Sequence, residues 1–298
     1  MIRAACIVLA LALFVSSTAS AAGASDDAVP ESWTGRAIMR RVALNWERYA
    51  SSALLRITTV SRSGRRFDRR FEALRLRAQS QPRTLIRVLS PDTLRGTTLL
   101  VLGGGRAGDQ RFVYLPVSRK VRRIAAASGD ERALGTDFSY SDLGVGDVED
   151  YTHERLEDAV ISGVKCFVVR STLVDPRPGA SQRLSWVARS SFVPLRVDYV
   201  RNGRPERRLE VDPRTLLALG EGAWMPRQMV MRDLLRGTRT ELAVEALDTH
   251  PRIDPERLTV AYLNRLSKKI HMVEPDQALP PLGPSQRPVD ALPQGEHP

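Results

Sequence analysis

Apolar and polar residues alternate along most of the chain after residue 50, and this period of two predicts β-strands. Leu195, Val197 and Tyr199 are predicted to face the interior, whereas Arg196 and Asp198 are predicted to face water. Strands are predicted at 55–59, 66–72, 83–89, 97–102, 110–115, 120–125, 153–161, 164–173, 182–189, 193–200, 206–212, 224–234 and 238–247.

Glycine-containing turns separate these strands and favour antiparallel neighbours. Asn202-Gly203 is the strongest hairpin signal, because both residues tolerate the left-handed backbone of a two-residue turn. Before the strands, residues 33–50 predict an amphipathic helix, and residues 255–269 predict a short last helix. The chain is therefore predicted to be mainly β (α+β), with one large curved antiparallel sheet or half-barrel. The stripe of the first helix consists of Ile38, Val42, Trp46 and Tyr49.

The N-terminus has the three regions of an export signal. A basic start at Arg3 precedes an apolar run, and Ala19-Ser20-Ala21 forms a cleavage site predicted to be cut before Ala22. A retained N-terminal anchor is the alternative. No later stretch approaches the roughly 20 apolar residues of a membrane span. The predicted organisation is a signal peptide at 1–21, a flexible N-terminus at 22–32, one domain at 33–272 and a disordered proline-rich tail at 273–298.

Removal of the signal peptide leaves a single cysteine, Cys166. The mature chain then has no partner for an intramolecular disulfide, so its core must hold the fold. Because Cys166 lies in an apolar predicted strand, we expect a buried thiol and not a nucleophile.

The formal net charge is +11, and all but four of the 45 basic residues are arginine. Arginine favours bidentate contacts with phosphate and carboxylate. For an exported chain, this predicts contact with anionic phospholipid or lipopolysaccharide headgroups, or with an acidic protein, and not with nucleic acid. Much of the charge is predicted to be the solvated face of a sheet.

The sequence contains no recognisable catalytic or cofactor motif. Gly103 to Gly108 fit the G-x-G-x-x-G pattern, but a strand and not a helix follows, which predicts a hairpin loop. No nucleophile elbow is present, and no histidine has a spaced metal-ligating partner. We therefore expect no catalytic residues, no metal and no cofactor.

Two acidic features leave alternatives open. The spacing of Asp142, Asp147, Glu149 and Asp150 does not fit a calcium loop, so a solvated acidic loop is favoured over a cation site. An electrostatic contact for the basic strands or for a partner is a further alternative. The neighbours His153 and Glu154 point to opposite faces of a strand, so an acid–base pair is not expected.

Several short segments resemble one bacterial family. They begin with Tyr114-Leu-Pro116, Arg122-Arg123-Ile124 and Gly135-Thr-Asp-Phe-Ser-Tyr140. Trp224-Met-Pro226, the following strand at 228–232 and the segment 253–263 are also similar. The family is that of the outer-membrane lipoprotein-sorting proteins, related to the periplasmic lipoprotein carrier LolA and its receptor LolB.

The resemblance implies a periplasmic carrier domain over residues 33–272. Its fold would be an unclosed β-barrel, with helices over an apolar concave face that shields acyl chains. Lipid or acylated lipoprotein would be the cargo, ferried toward the outer membrane with transient membrane contact. A transporter of the resistance-nodulation-division type is the implied partner.

Large apolar residues in the resembling region are candidates for the cavity lining or lid, although each is also compatible with an ordinary core position. They are Trp46, Leu85, Leu89, Tyr114, Phe138, Tyr140, Trp186 and Trp224. Arg87, Arg122 and Arg123 are candidates for a headgroup phosphate, or for a solvated strand face.

Two other classes of function remain open at this point. One is a non-catalytic envelope scaffold, or an accessory subunit of such a transporter, that binds protein and not lipid. The other is an enzyme acting on envelope polymers, for which Glu154 and Asp158 are the only acidic candidates.

Overall fold

A computed structural model describes residues 33–268 apart from 48, 79–80, 105–107, 126–127, 144–147, 176–181 and 221. The predicted signal peptide, flexible N-terminus and proline-rich tail lie outside these residues. The helices are α1 (Gly35–Glu47) and α2 (Val260–Lys268). The strands are β1 (Ser51–Val60), β2 (Arg66–Ala78), β3 (Gln81–Ser90), β4 (Thr98–Leu102), β5 (Gln110–Leu115), β6 (Lys120–Ile124), β7 (Tyr151–Ile161), β8 (Val164–Leu173), β9 (Gln182–Ala188), β10 (Pro194–Arg201), β11 (Arg204–Glu210), β12 (Leu216–Gly220), β13 (Ala223–Pro226), β14 (Gln228–Asp233) and β15 (Thr238–Asp248).

Thirteen strands form one antiparallel sheet in the order β6-β5-β4-β3-β2-β1-β15-β14-β11-β10-β9-β8-β7. The sheet does not close into a barrel, so β6 and β7 are its edges. The prediction of a mainly β fold with a large unclosed antiparallel sheet is confirmed. Strands that are distant in sequence meet at its centre, where Leu55 of β1 lies opposite Val244 of β15.

Two predicted turns are confirmed. Asn202 and Gly203 both have positive φ, 51° and 75°, so the turn between β10 and β11 has the left-handed backbone that these residues favour. The glycine-rich residues 103–108 connect the antiparallel neighbours β4 and β5, which confirms a hairpin loop in place of a dinucleotide-binding turn.

The sheet has an inner and an outer face, which the strand registers define. We call inner the face that carries Leu55, Phe71 and Val244, and outer the opposite face. The central outer face carries ion pairs that reach across β1 from β2 to β15, such as Arg70 with Glu245 at 3.1 Å and Arg66 with Glu241 at 3.0 Å. These arginines are more than half exposed, which confirms a charged, solvated strand face.

The exposure of Asp198 differs from the prediction. It lies on the outer face as the alternation requires, but it is only 4% exposed. Arg208 Nε donates to its Oδ1 at 2.7 Å, and Arg196 Nε donates to the same oxygen at 3.0 Å. Two neighbouring arginines thus cover a carboxylate that the pattern alone places in water.

The predicted helices lie on opposite faces. In α1 the predicted stripe is buried at Ile38 and Val42, and the helix lies over β7 and β8 on the inner face. Tyr49 lies beyond the end of α1, where its hydroxyl donates to the Gly220 carbonyl at 3.0 Å. The second helix is shorter than predicted, because residues 255–258 form a 3-10 turn. It covers the outer face of β5 and β6.

The predicted strand 224–234 is two strands. The chain changes sheets at Arg227, whose N–H donates to the Thr215 carbonyl and whose carbonyl accepts from Val244. Before it, β13 pairs with β12, a strand that was not predicted, and after it β14 joins the large sheet. No helix of the described residues is both long and apolar enough to cross a bilayer.

Candidate functional site

One segment of chain must pass from one edge of the sheet to the other. Strands β6 and β7 follow each other in sequence but form opposite edges, so residues 125–150, which we call the crossing segment, span the distance between them. The registers place its contacts on the inner face, where Phe138 packs with Val197, Tyr199 and Met231. The crossing segment therefore covers part of the apolar surface of the sheet.

Asp137 anchors the crossing segment at the centre of the sheet. It is fully buried, and its carboxylate accepts hydrogen bonds from Thr238 Oγ1 at 2.6 Å and Thr240 Oγ1 at 2.8 Å. Arg132 lies 3.2 Å from the same carboxylate and also pairs with Asp233. A buried carboxylate needs such partners because an uncompensated charge is costly away from water.

A second buried carboxylate, Asp142, anchors the other side of the Gly135–Tyr140 motif. Its Oδ2 accepts from the Ser139 N–H at 2.7 Å and from Arg207 Nη1 at 2.5 Å. Burial alone raises the pKa of Asp142, but the charges of Arg207 and Arg183 and the bond from Ser139 outweigh it, so the pKa lies below its usual value. The electrostatic-contact interpretation of the acidic loop thus holds for Asp142, and the solvated one does not.

Two arginines near Asp142 also lie against tyrosine rings. The Arg207 guanidinium lies 4.3 Å from the centroid of the Tyr199 ring, and the Arg183 guanidinium lies 4.9 Å from that of Tyr151. Burial raises the pKa of the Tyr199 hydroxyl, and the nearby Asp142 charge raises it further, so this tyrosine stays neutral. Buried ion pairs and cation–π contacts therefore hold the Gly135–Tyr140 motif in place.

An apolar part of the inner face is only half covered. It consists of Leu55 on β1, Ala73 on β2, Met229 on β14 and Leu242 on β15, and we call it the inner floor. These are neighbouring strands at the centre of the sheet. Leu242 packs against three of the buried clusters of the inner face. Half-buried apolar residues of two flanking elements border the inner floor: Tyr140 and Leu143 of the crossing segment, and Leu219 and Met225 of β12 and β13.

The first helix and the β12–β13 pair are tied together at one end of the inner face. Asn45 of α1 is buried, and its Nδ2 donates to the Ser191 carbonyl at 2.8 Å. Its Oδ1 accepts from the Trp224 N–H at 3.2 Å. The sequence analysis did not identify Asn45. Its position could have been noticed, because it is a polar residue between apolar residues of the predicted helix.

Polar side chains line a cleft beside the crossing segment. It has a volume of about 330 Å³ and lies at the end of the sheet where β10 turns into β11. Its basic and acidic residues are mixed, so it suits a polar group with little net charge. The lining includes Asp130, Arg132, Arg201, Glu206, Arg207 and Arg236.

The apolar residues predicted to line a cavity do not lie together. Phe138 and Tyr140 are on the crossing segment over the inner face, and Trp224 lies beside α1. The side chain of Trp46 is outside the described residues. Phe138, Tyr140 and Trp224 can therefore belong to one apolar site on the inner face.

Three of the other four predicted lining residues lie on the outer face: Leu85, Tyr114 and Trp186. Leu85 is buried against Leu258 and Leu263, the latter on α2. The Tyr114 hydroxyl donates to the Leu266 carbonyl of the same helix at 3.2 Å. Leu89 is the extra residue at a bulge of β3, between Val88 opposite Phe71 and Ser90 opposite Arg70. Trp186 lies under the Arg196 guanidinium, 4.4 Å from the ring centroid. On the outer face Leu85 and Tyr114 are buried and Trp186 is half-buried.

The predicted headgroup arginines are also separated. Arg122 and Arg123 are exposed neighbours on β6, so their side chains leave opposite faces. Arg87 lies on the outer face, where it pairs with Glu72 at 3.3 Å. The three side chains do not converge on one phosphate.

The acidic candidates for an enzyme are each engaged with different arginines. Glu154 pairs with Arg170 at 2.8 Å, and Asp158 pairs with Arg155 at 2.9 Å and with Arg189. Among the described residues, no group of three or more histidine, cysteine, aspartate or glutamate side chains is arranged to hold a metal.

Cys166 is buried, and both ring nitrogens of His153 are hydrogen-bonded within the protein. The thiol is buried, as predicted, and burial raises its pKa to about 11. His153 Nε2 donates to the Val148 carbonyl at 2.9 Å, so the neutral ring accepts at Nδ1 from the Ser171 hydroxyl at 2.8 Å.

Comparisons with known proteins agree with the fold. A family model described as that of an uncharacterized protein matches residues 80–265. A crystal structure of a DUF1329 family protein from Desulfovibrio piger is 21% identical, with a TM-score of 0.70 over 77% of this chain and 97% of that one. No curated protein matches the chain.

Two further solved structures are similar. A Vibrio parahaemolyticus domain described as an outer membrane lipoprotein-sorting protein is 21% identical, with a TM-score of 0.70 over 78% of this chain and 98% of that one. A LolA superfamily protein from Nitrosomonas europaea is 18% identical, with a TM-score of 0.62 over 77% of this chain and 99% of that one.

Proposed function

Because the chain belongs to the DUF1329-like family, whose fold is that of the LolA-type lipoprotein-sorting proteins, we propose that it is a carrier of acyl chains. The proposed cargo is a lipid or an acylated lipoprotein, bound on the inner face. The carrier has no catalytic step and works in the periplasm, where it moves its cargo toward the outer membrane.

The half-covered inner floor is the observation that carries this proposal. Leu55, Ala73 and Leu242 lie on central strands of the sheet, and the elements that flank them leave them only half-buried. Each acyl methylene shielded from water contributes about 0.8 kcal/mol, so a chain of ten methylenes supplies roughly 8 kcal/mol. An apolar surface between two covering elements shields such a chain without facing bulk water.

The polar cleft supports an amphiphilic cargo. Strand β14 runs from Met229 in the inner floor to Asp233 in the cleft, so one strand connects an apolar with a polar site. The mixed charges of the cleft suit the headgroup of a lipid or the polypeptide part of a lipoprotein. This placement replaces Arg87, Arg122 and Arg123 as the proposed headgroup site.

A pair of matched variants tests the proposal. Ala73→Phe adds a ring to the inner floor, whereas Ala243→Phe adds the same ring on the outer face of β15. The mature protein, purified gently from a periplasmic fraction, is analysed by native mass spectrometry and lipid extraction, and each variant is titrated with a fluorescent fatty acid. We expect near-stoichiometric lipid in the parent and at least a tenfold weaker probe affinity in Ala73→Phe only.

The envelope scaffold is the alternative that this experiment addresses. A parent protein that purifies empty and takes up no probe contradicts the carrier and directs the search to a protein partner. Equal loss of probe binding in both variants contradicts the inner floor as the site. A transporter of the resistance-nodulation-division type stays a prediction, which the comparisons do not support.

A further inference from the structure

Exposed apolar side chains concentrate at one end of the sheet. The turns β1–β2, β10–β11 and β14–β15 lie at this end, as do the connections β3–β4, β5–β6 and β8–β9, because the registers place their flanking residues side by side. We call this end the rim. Of the seven large apolar side chains exposed among the described residues, all but Val160 lie at the rim: Phe67, Leu94, Val117, Val174, Leu234 and Leu235.

The exposure of these side chains is high. Val117 is 93% exposed and Leu235 is 70% exposed, each at the tip of a turn. Leu234 and Leu235 are adjacent, and the turn they occupy lies against Arg62 of the β1–β2 turn. Single exposed apolar residues are ordinary, but a group of them at one end of a protein indicates an interaction surface.

Basic residues stand between the apolar ones on the same turns. They are exposed, and none forms an ion pair with a carboxylate of the described residues: Arg62, Arg65, Arg119, Lys120, Arg204 and Arg236. Among the acidic residues of the rim, Asp92 pairs with Arg95, Asp130 and Glu206 share Arg201, and Glu131 and Asp175 are exposed, so the basic residues outnumber them. The rim thus presents apolar tips in a positively charged surround.

We propose that the rim docks on an anionic phospholipid bilayer. Leucine and valine at the turn tips would enter the boundary between headgroups and acyl chains, while arginine side chains contact lipid phosphates. The cleft that includes Arg236 and Leu235 opens at the same end, so docking would bring it to the membrane surface. The rim is distinct from the inner floor, and its docking does not depend on the proposed cargo.

Vesicle co-sedimentation of the full mature protein tests the rim. Vesicles of phosphatidylcholine are compared with vesicles containing one quarter phosphatidylglycerol, at low and high salt. Leu234→Ser/Leu235→Ser removes two apolar tips, and Val160→Ser, 66% exposed at the opposite end, is its control. Arg62→Gln/Arg65→Gln removes two charges, and Arg214→Gln, beyond the opposite end of β11, is its control.

We expect binding to the anionic vesicles only, and a weaker affinity at high salt because ions screen surface charge. The double leucine variant should bind at least about tenfold more weakly, since partial burial of two leucines accounts for that factor. The controls should stay within about twofold of the parent protein. The proposal is overturned by equal binding to both kinds of vesicle, or by an equal loss in Val160→Ser.

The fatty acid probe separates docking from cargo binding. A parent that sediments with anionic vesicles but takes up no probe contradicts the carrier and leaves the rim supported. A parent that takes up the probe but stays in solution overturns the rim and leaves the carrier supported. The Arg62→Gln/Arg65→Gln variant, whose two residues lie outside the cleft and the inner floor, should retain the probe affinity of the parent protein.

Discussion

The hydroxyl of Thr240 contacts Asp137 twice, although the two residues are far apart in sequence. Thr240 Oγ1 donates to Asp137 Oδ2 at 2.8 Å and accepts from the Asp137 N–H at 2.9 Å. Both residues are fully buried. One side chain of β15 therefore fixes both the backbone and the carboxylate of the crossing segment on the inner face.

Replacement of this hydroxyl should loosen the crossing segment. Thr240→Val keeps the shape of the side chain but leaves Asp137 without two of its hydrogen bonds, at a cost of about 1–3 kcal/mol in the free energy of unfolding. Urea denaturation measures the loss. Thr152→Val, at an exposed position of β7, is the control and should cost less than about 0.5 kcal/mol. Equal effects of the two substitutions would contradict the anchoring role of Thr240.

Asp142 should make the fold sensitive to acid. Its pKa is lower in the folded than in the unfolded chain, so its contribution is present above the unfolded pKa, near 4, and is lost as the pH falls through the lower folded value. Asp142→Asn removes the charge that pairs with Arg207. Its free energy of unfolding should be lower at pH 7 by about 1–3 kcal/mol and should change less than that of the parent below pH 4. Urea titrations between pH 7 and 3 test this, and a constant difference between the two proteins would contradict it.

His153 should contribute a second pH dependence, at higher pH. Burial lowers its pKa in the folded chain despite the nearby Glu149 charge. The unfolded chain then binds a proton as the pH falls below about 6.5 while the folded chain does not, so stability decreases in that range. His153→Gln should reduce the loss between pH 7 and 5. Stability that varies identically with pH in both proteins would show that His153 does not titrate differently on unfolding.

Cys166 should be inert in the folded protein. A pKa of about 11 leaves little thiolate at pH 8, and the side chain is inaccessible as well. We expect alkylation by iodoacetamide at least about a hundredfold slower than at a cysteine introduced by Val117→Cys on the rim. Urea should abolish the difference. Rapid labelling of Cys166 without denaturant would contradict its burial.

Local chemistry made much of the fold predictable. Alternation identified most strands, and Asn202-Gly203 identified a tight turn, because both signals depend only on neighbouring residues. The break at Arg227 escaped prediction, since the pairing of β12 with β13 is decided by contacts with Thr215 and Val244. The burial of Asp198 escaped prediction for a similar reason, because Arg208, one of the two arginines that cover it, comes from β11.

The candidate site was predicted less well than the fold. The Gly135–Tyr140 motif was identified as distinctive, and it does lie at the centre of the inner face. The sequence did not show that this motif anchors the crossing segment, because the partners of Asp137 and Asp142 lie on strands that follow much later in the chain. Leu85 and Tyr114 were grouped with Phe138 because all are large and apolar, although a sheet buries such residues on either face.

The sequence by itself determined the strands, the hairpin turns and the burial of Cys166, because side-chain period, turn conformation and local apolarity act over a few residues. Only the tertiary structure decided which residues share a face and where the chain crosses the sheet. Those features follow from the pairing of β1 with β15 and from the placement of β6 and β7 at opposite edges. Such long-range pairings are set by packing of the whole sheet, and no local pattern encodes them.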